Sequence, residues 1–140
     1  MIRFDFEIPG QPMGKQRPKF STAGGFVKTY TPKETVSYEN LVKLMFQQKF
    51  GSDSIPKESM IRAKVQAFYS IPKSTSKKKT IEMLDGYVRP IKKPDTDNVA
   101  KIILDSLNGI AFHDDAQVVE LTVEKWYSEN PSVKVFIEEI

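Results

Sequence analysis

The sequence contains no cysteine and only one histidine, His113. Without cysteine the chain has no disulfide, no thiolate nucleophile and no cysteine-based zinc site, which is compatible with the cytoplasmic location that we expect. It also lacks the run of roughly 20 apolar residues that a membrane span requires and the layout of a signal peptide, so we expect no membrane partner. Any bound metal must therefore be held by oxygen atoms or by His113.

The 140 residues suffice for one domain with a proper core, and we assign residues 1–140 to a single domain. The formal net charge of +3 conceals a strong segregation along the chain. Residues 14–33 carry five bases and no acid, residues 73–93 carry seven bases and two acids, and residues 94–140 carry three bases and ten acids. A basic stretch is most often a solvated face, but both of these accompany predicted loops, where a phosphate backbone can be held.

Alternating apolar and polar residues predict strands at 2–8, 61–69, 118–127 and 133–140. The turn-forming residues between the last two strands predict that these strands form an antiparallel hairpin. Residues 10–31 are rich in glycine, proline and bases, and they predict a long loop or a loose hairpin around Gly24-Gly25.

Helix signals separate these strands. Thr31 as N-cap, the following proline and a capping-box Glu34 predict a helix that runs to Phe50 and ends at Gly51. Its apolar residues should cover the strands; they are Val36, Leu41, Leu44, Met45 and Phe50. A second, short helix is predicted through residue 84 after a serine-threonine cap. The order of elements is not a regular β-α alternation, so we predict the α+β class, a mixed β-sheet with helices packed on it.

The stretch PDTDNVAKIILDSLNGIAFHDDAQVV, residues 94–119, gathers five aspartates, two asparagines and one lysine. A cap at residue 95 or 96 and the Asn108-Gly109 pair bound a predicted helix of three turns. At 100° per residue, Asp97, Lys101 and Asp105 share one side, and the apolar residues fill the other. Judged on the helix alone, this polar side is a solvated charge ladder.

A metal site is the alternative for the same residues. Asp95 and Asp97 bracket the helix N-terminus, and a short connection brings Asp114 and Asp115 to its other end, before a strand that can run back beside the helix. Three carboxylates that share a site need a counter-cation, and all-oxygen ligands favour a hard ion such as Mg²⁺ or Mn²⁺. The roles of Asp114 and His113 stay open at this point.

The joint spacing of these motifs resembles the RusA family, the small magnesium-dependent Holliday junction resolvases of bacteria and phages. The resemblance rests on PDTDN-VAK-IILDSLNG followed by HDDAQV, with support from GQPMGKQRPK, from Tyr30-Thr31-Pro32 and from Glu124-Lys125-Trp126, so it spans most of the chain. It implies that Asp95, Asp97 and Asp115 bind Mg²⁺, with Mn²⁺ able to replace it, and that Lys101 acts with them in catalysis. It further implies a homodimer that binds a DNA four-way junction.

On this interpretation the protein resolves Holliday junctions by paired, symmetric hydrolysis of phosphodiesters. The residues predicted to hold the DNA backbone are Lys15, Arg17, Lys19, Lys77, Lys78 and Lys93. A protein of the same fold that binds branched DNA without cutting it is an alternative. A nucleotidyl or glycosyl transferase with a D-x-D motif is another, although no glycine-rich nucleotide loop accompanies the motif.

Overall fold

The computed structural model describes residues 1–15, 19–21, 23–25, 28–30 and 32–140. The strands within these ranges are β1 (Arg3–Pro9), β2 (Lys19–Ser21), β3 (Lys28–Tyr30), β4 (Ile61–Ser70), β5 (Val118–Ser128) and β6 (Ser132–Glu139). The helices are α1 (Lys33–Phe50), α2 (Lys77–Leu84) and α3 (Thr96–Leu107), and short 3₁₀ turns occur at Ala23–Gly25 and Asp115–Gln117. No helix in the described part of the chain is long and apolar enough to cross a membrane.

The main sheet has four strands in the order β1-β6-β4-β5. β6 pairs antiparallel with both β1 and β4, whereas β4 and β5 run parallel. A parallel pair needs a long crossover connection, and residues 71–117 provide it with α2 and α3. The predicted α+β class with a mixed sheet is confirmed. β2 and β3 form a separate two-stranded antiparallel sheet, which agrees with the loose hairpin predicted around Gly24-Gly25.

The predicted hairpin between β5 and β6 is wrong. The two strands have opposite directions, but β4 lies between them and pairs with both. The physical reason is burial, because β6 carries Val133, Val135 and Ile137, all of which are 0 to 1% exposed, and this apolar set is stabilised best in the middle of the sheet. β5 contributes fewer buried side chains and takes the edge.

Helix α1 ends at the predicted residue, Phe50, but it begins at Lys33, one residue later than predicted. Pro32, predicted as the first helical residue, is the N-cap residue, and no side chain caps this end. Thr31, the predicted cap, lies outside the described residues. Its predicted inner face is partly wrong, since Val36 and Leu44 are exposed. The buried stripe is instead Thr35, Tyr38, Val42 and Phe46, whose spacing keeps them on one side of the helix. Aromatic packing selects this side, because the ring of Phe46 lies 4.9 Å from that of Phe4 on β1.

Helix α3 packs on the same face of the sheet as α1, and the two helices contact each other. Its predicted apolar side is confirmed, with Val99, Ile103 and Leu107 fully buried. The opposite face of the sheet is charged, and Arg62 is bonded there to Glu120 and Glu138 on the neighbouring strands. This layering leaves the polar side of α3 on the outer surface of the helical layer.

Candidate active site

The N-terminus of α3 is fixed against β4. The hydroxyl of Tyr69 donates a hydrogen bond of 2.6 Å to the carbonyl oxygen of Pro94, directly before the helix. Asp95 is the N-cap residue, yet its carboxylate makes no capping hydrogen bond, and both it and Asp97 are exposed. Burial, and then the negative charge of Asp95, raise the pKa of Tyr69 to about 12. The two aspartates of the D-x-D motif therefore stand at one helix end with their oxygen atoms open to a cation.

Lys125 on β5 lies beside this end, and the sequence reasoning assigned it no role. Its Nζ atom is 5.1 Å from the ring centre of Tyr69 and donates to the carbonyl oxygen of Lys92. Burial lowers the pKa of Lys125, while the charge of Asp95 opposes that shift. The sequence does contain a pattern that points to Lys125, because the alternation along β5 places it on the inward side with Val123 and Tyr127. A lysine at such a position is unusual unless it meets a polar partner.

The polar side of α3 is an ion-pair network in its middle turns. Asp105 Oδ2 lies 3.5 Å from Lys101 Nζ and 3.4 Å from Lys15 Nζ, and Lys15 also bonds Glu39 of α1 at 3.1 Å. Burial acts to lower the pKa of Lys15, but the hydrogen bond and charge of Glu39 and the charge of Asp105 outweigh it and raise that pKa. Asp105 is thus not simply solvated, and Lys15 connects the N-terminal segment to both helices.

The N-terminal segment approaches α3 closely at Gly14. A Cβ atom placed there would lie 2.7 Å from the Cβ of Pro94 and 3.1 Å from that of Asn98, so only glycine fits without movement. The approach allows the backbone N–H of Lys15 to donate to the carbonyl oxygen of Asn98 at 3.0 Å. Gly14 and Lys15 therefore lie against the start of α3, at the residues that flank Asp95 and Asp97 in the chain.

The D-D-x-Q motif forms a tight structure at the other end of α3. Asp114 and Gln117 make a capping box around the 3₁₀ turn, and the Gln117 side-chain amide also donates to the carbonyl oxygens of Pro56 and Ser59. The backbone N–H of Asp115 donates to Asn108 Oδ1 at 2.8 Å. Asp114 thus caps the turn, a role that the sequence did not decide. Asp115 does not cap the turn.

The carboxyl of Asp115 is in a crowded acidic environment. Burial raises its pKa, and so do a hydrogen bond with Asp114 and the charges of Asp114 and Asp105, while the charge of Lys101 acts against them. His113 is exposed, and its backbone N–H donates to Gln117. The carboxylates at this end are therefore crowded enough for a cation to stabilise them.

The structure does not bring the three predicted metal ligands together within one chain. Asp97 lies in the first turn of α3, and the backbone of Asp115 is bonded to the side chain of the C-cap residue Asn108, about 16 Å further along the helix axis. Within the ranges that the structure describes, no three histidine, aspartate or glutamate side chains are grouped so that they could hold a metal ion. Their oxygen donors suit a hard cation, but this arrangement does not enclose one, and the metal site stays a prediction.

The predicted DNA-binding lysines lie in two places. Lys77 and Lys78 are exposed in the first turn of α2, where Ser76 caps the helix by accepting from the backbone N–H of Lys79. Lys93 is exposed and lies two residues before Asp95, so it is close in the chain to the D-x-D pair. Lys19 lies on β2, where the structure describes the backbone, and Arg17 lies outside the described residues.

Comparison with known proteins gives the class that this fold and these motifs define. The chain matches the family model for endodeoxyribonuclease RusA over residues 9–138. The chain belongs to the RusA family, and membership implies an endodeoxyribonuclease that acts on Holliday junctions. It is also 36% identical to "Uncharacterized protein YqaN" of Bacillus subtilis (strain 168) over 137 residues, which are 96% of this chain and 95% of the relative. The family match confirms the resemblance inferred from the motifs and speaks against a transferase.

Proposed function

We propose that the protein is a metal-dependent endodeoxyribonuclease that resolves four-way DNA junctions by paired, symmetric hydrolysis of phosphodiesters. The observation that carries the proposal is the exposed carboxylate pair of Asp95 and Asp97, which directly follows the basic segment at the N-terminus of α3. Family membership indicates the substrate class. The exposed pair provides carboxylate oxygen atoms that could bind a metal ion at the N-terminus of α3.

In this proposal exposed lysines bind the DNA backbone, and the carboxylates together with Lys101 act in the hydrolysis. Exposed lysines of α2 and Lys93 would hold backbone phosphates, which bare carboxylates would otherwise repel. Bound at Asp95 and Asp97, Mg²⁺ would supply Lewis acidity and neutralise charge at the phosphate. Lys101 lies one turn from Asp97, and its ion pair with Asp105 orients its ammonium group along the polar side of α3. We propose that this ammonium group contacts the phosphate that is cut.

We further propose that the active form is a homodimer that pairs along the free edge of β5. Symmetric cutting of two strands requires two sites, and within one chain Asp95, Asp97 and Asp115 do not form a group that could hold a metal ion. β5 pairs only with β4 among the described strands, and it exposes the apolar side chains of Val119 and Leu121. An exposed edge of this kind is a ready template for another strand.

The proposed edge pairing also fits the position of the aspartates. Antiparallel pairing of β5 with its copy sets the start of the strand in one subunit against its end in the other. Asp115 begins the 3₁₀ turn that leads into β5, whereas the charge of Asp95 acts on Lys125 near the other end of the strand. The pairing would therefore bring Asp115 of one subunit to the level of Asp95 of the other, which supports a site with contributions from both.

The alternative to the nuclease is a protein that binds branched DNA without cutting it, and Asp97→Asn separates the two. The change removes one charge from an exposed residue and leaves the lysines of α2 and Lys93 unchanged. We expect junction cleavage to fall by at least about 100-fold, while the dissociation constant for the junction stays within a factor of a few. Asp53→Asn, at an exposed aspartate after α1, is the matched control and should cleave normally. A wild-type protein that binds junctions but never cuts them, with any divalent metal, establishes the alternative.

A further inference from the structure

The segment between α2 and α3 exposes two large apolar side chains. Ile91 is 100% exposed and Tyr87 is 84% exposed. Isolated exposed apolar residues are common on protein surfaces and carry no meaning alone. These two, however, lie on one short segment that leads directly to the aspartates at the start of α3. The surroundings of the segment indicate what they are for.

The segment, residues 85–95, is held against β5 by contacts of Arg89 and Lys92. The guanidinium group of Arg89 stacks on the ring of Trp126 at 3.7 Å, and its Nε atom donates to the carbonyl oxygen of Lys125 at 2.7 Å. Lys125 in turn donates from its side chain to the carbonyl oxygen of Lys92. Pro90, between these anchor points, is buried. The outward side chain of Ile91 is therefore presented by an ordered backbone, so that binding through it requires little further ordering.

The stretch of chain that carries the exposed pair is basic, with seven bases against Glu82 and Asp85 in residues 73–93. Lys92 and Lys93 follow Ile91 directly, and the lysines of the first turn of α2 belong to the same basic stretch. An apolar protein partner would be expected to meet a neutral or acidic rim, whereas this rim suits a polyanion. Ile91 precedes Asp95 by four residues, so the two lie within about 14 Å of each other even if the chain is fully extended. An exposed apolar side chain thus lies within a basic stretch of the chain and close to the proposed reaction centre.

We propose that Ile91, supported by Tyr87, is a wedge that inserts between bases at the crossover of a four-way junction. This inference rests on the proposed function and adds a residue that selects the substrate. Apolar side chains from DNA-binding proteins enter base steps at the cost of unstacking them. At the crossover strands pass from one arm to another, so base steps there are opened at a lower cost than steps in a continuous duplex. The wedge favours the junction over linear DNA for this reason.

The test places 2-aminopurine, a base whose fluorescence rises on unstacking, next to the crossover of a four-way junction or in the middle of a linear duplex. Binding is measured in chelator, so that no strand is cut. The wild-type protein should raise the fluorescence of the junction and leave that of the duplex unchanged. Ile91→Ala should abolish the rise and weaken binding to the junction about tenfold, with duplex binding unchanged. Tyr87→Ala should reduce the rise in part.

Ile81→Ala is the matched control, because Ile81 is an isoleucine of α2 that is 59% exposed and lies before the segment. It should behave as the wild type in every assay. The wedge is overturned if the wild-type protein cuts junctions selectively while Ile91→Ala retains the fluorescence rise and the selectivity. It is also overturned if Ile91→Ala changes the oligomeric state rather than the response of the bases. A wild-type protein with no preference for the junction overturns the proposed function itself, and the wedge with it.

Discussion

Lys15 and Asp105 are joined by an ion pair with 3.4 Å between Nζ and Oδ2, and Lys15 bonds Glu39 at the same time. The pair connects the N-terminal segment to the middle of α3 and to α1. The side chains of Lys15 and Asp105 are 21% and 22% exposed, so water screens them less than it screens a surface pair. The lysine that the sequence assigned to DNA is therefore already matched by two carboxylates of its own chain.

The first prediction concerns the strength of this pair. A double-mutant cycle with Lys15→Met and Asp105→Asn, measured by urea unfolding, should give a coupling free energy of about 1 kcal/mol. The pair between Lys49 and Asp5, with side chains 51% and 69% exposed, is the control and should give a coupling near zero. Equal coupling in both pairs would show that Lys15 is not a structural connection.

The second prediction concerns Asp115. Its carboxyl should titrate above its ordinary value of 3.8, and Asp114→Asn should lower that pKa, because the change removes the adjacent negative charge while asparagine can still cap the turn. The measurement is a carbon NMR titration of the metal-free protein. Asp53→Asn should leave the curve unchanged.

The sign of the effect on stability follows from the same pKa. A folded-state pKa above the unfolded value means that the native protein keeps this proton to higher pH, so the free energy of unfolding falls as the pH rises between the two values. Asp114→Asn should make this fall smaller in acid-range unfolding experiments. A steeper fall in the variant would contradict the assigned cause.

The third prediction concerns the edge of β5. Leu121→Lys places a charge on the free edge strand and should shift a dimer to monomers in sedimentation equilibrium. Leu44→Lys on α1 is the control, since Leu44 is 50% exposed and Leu121 is 46% exposed. A dimer that persists in Leu121→Lys would place the interface elsewhere, and a wild-type monomer at all concentrations would exclude the proposed edge pairing.

The fourth prediction concerns the lysines of α2. Replacement of Lys77, Lys78 and Lys79 by alanine should lower the slope of log affinity against log salt for junction DNA by up to about 2.7, since each phosphate contact contributes about 0.9. The three lysines of α1 provide the control; they are Lys33, Lys43 and Lys49. A slope that changes equally in both triple variants would show only a general effect of charge.

Local signals in the sequence were sufficient for most elements of the fold. The ends of α3 and the C-terminal end of α1 followed from the cap and from the glycine and asparagine stops, and the strands followed from alternation. The neighbours of β6 did not, because alternation shows that a strand has a buried face and does not show which strand lies beside it. The short link from Ser128 to Ser132 suggested a hairpin, but the buried valines of β6 pair with β1 and β4 instead.

For the candidate site, too, the sequence predicted local features but not contacts between distant parts of the chain. The motif spacing selected Asp95, Asp97 and Asp115 as candidate ligands, but it could not show whether one chain groups them, since that depends on how the chain returns after α3. In the described part of the chain no such group forms. Lys125 does not stand out in the sequence, because Asp95, whose charge acts on its pKa, is thirty residues away along the chain. The helical pattern alone makes Asp105 a solvated residue, and no local pattern predicts its ion pair with Lys15 of the N-terminal segment.

The most direct test of the proposed function uses a labelled four-way junction and a linear duplex of the same sequence. The purified protein is incubated with each in Mg²⁺ and in chelator, and the products are mapped on a denaturing gel. The account predicts paired nicks at symmetric positions on opposing strands of the junction, in Mg²⁺ alone, with the duplex left intact. Cutting of both substrates at equal rates, or no cutting of the junction with any divalent metal, would contradict it.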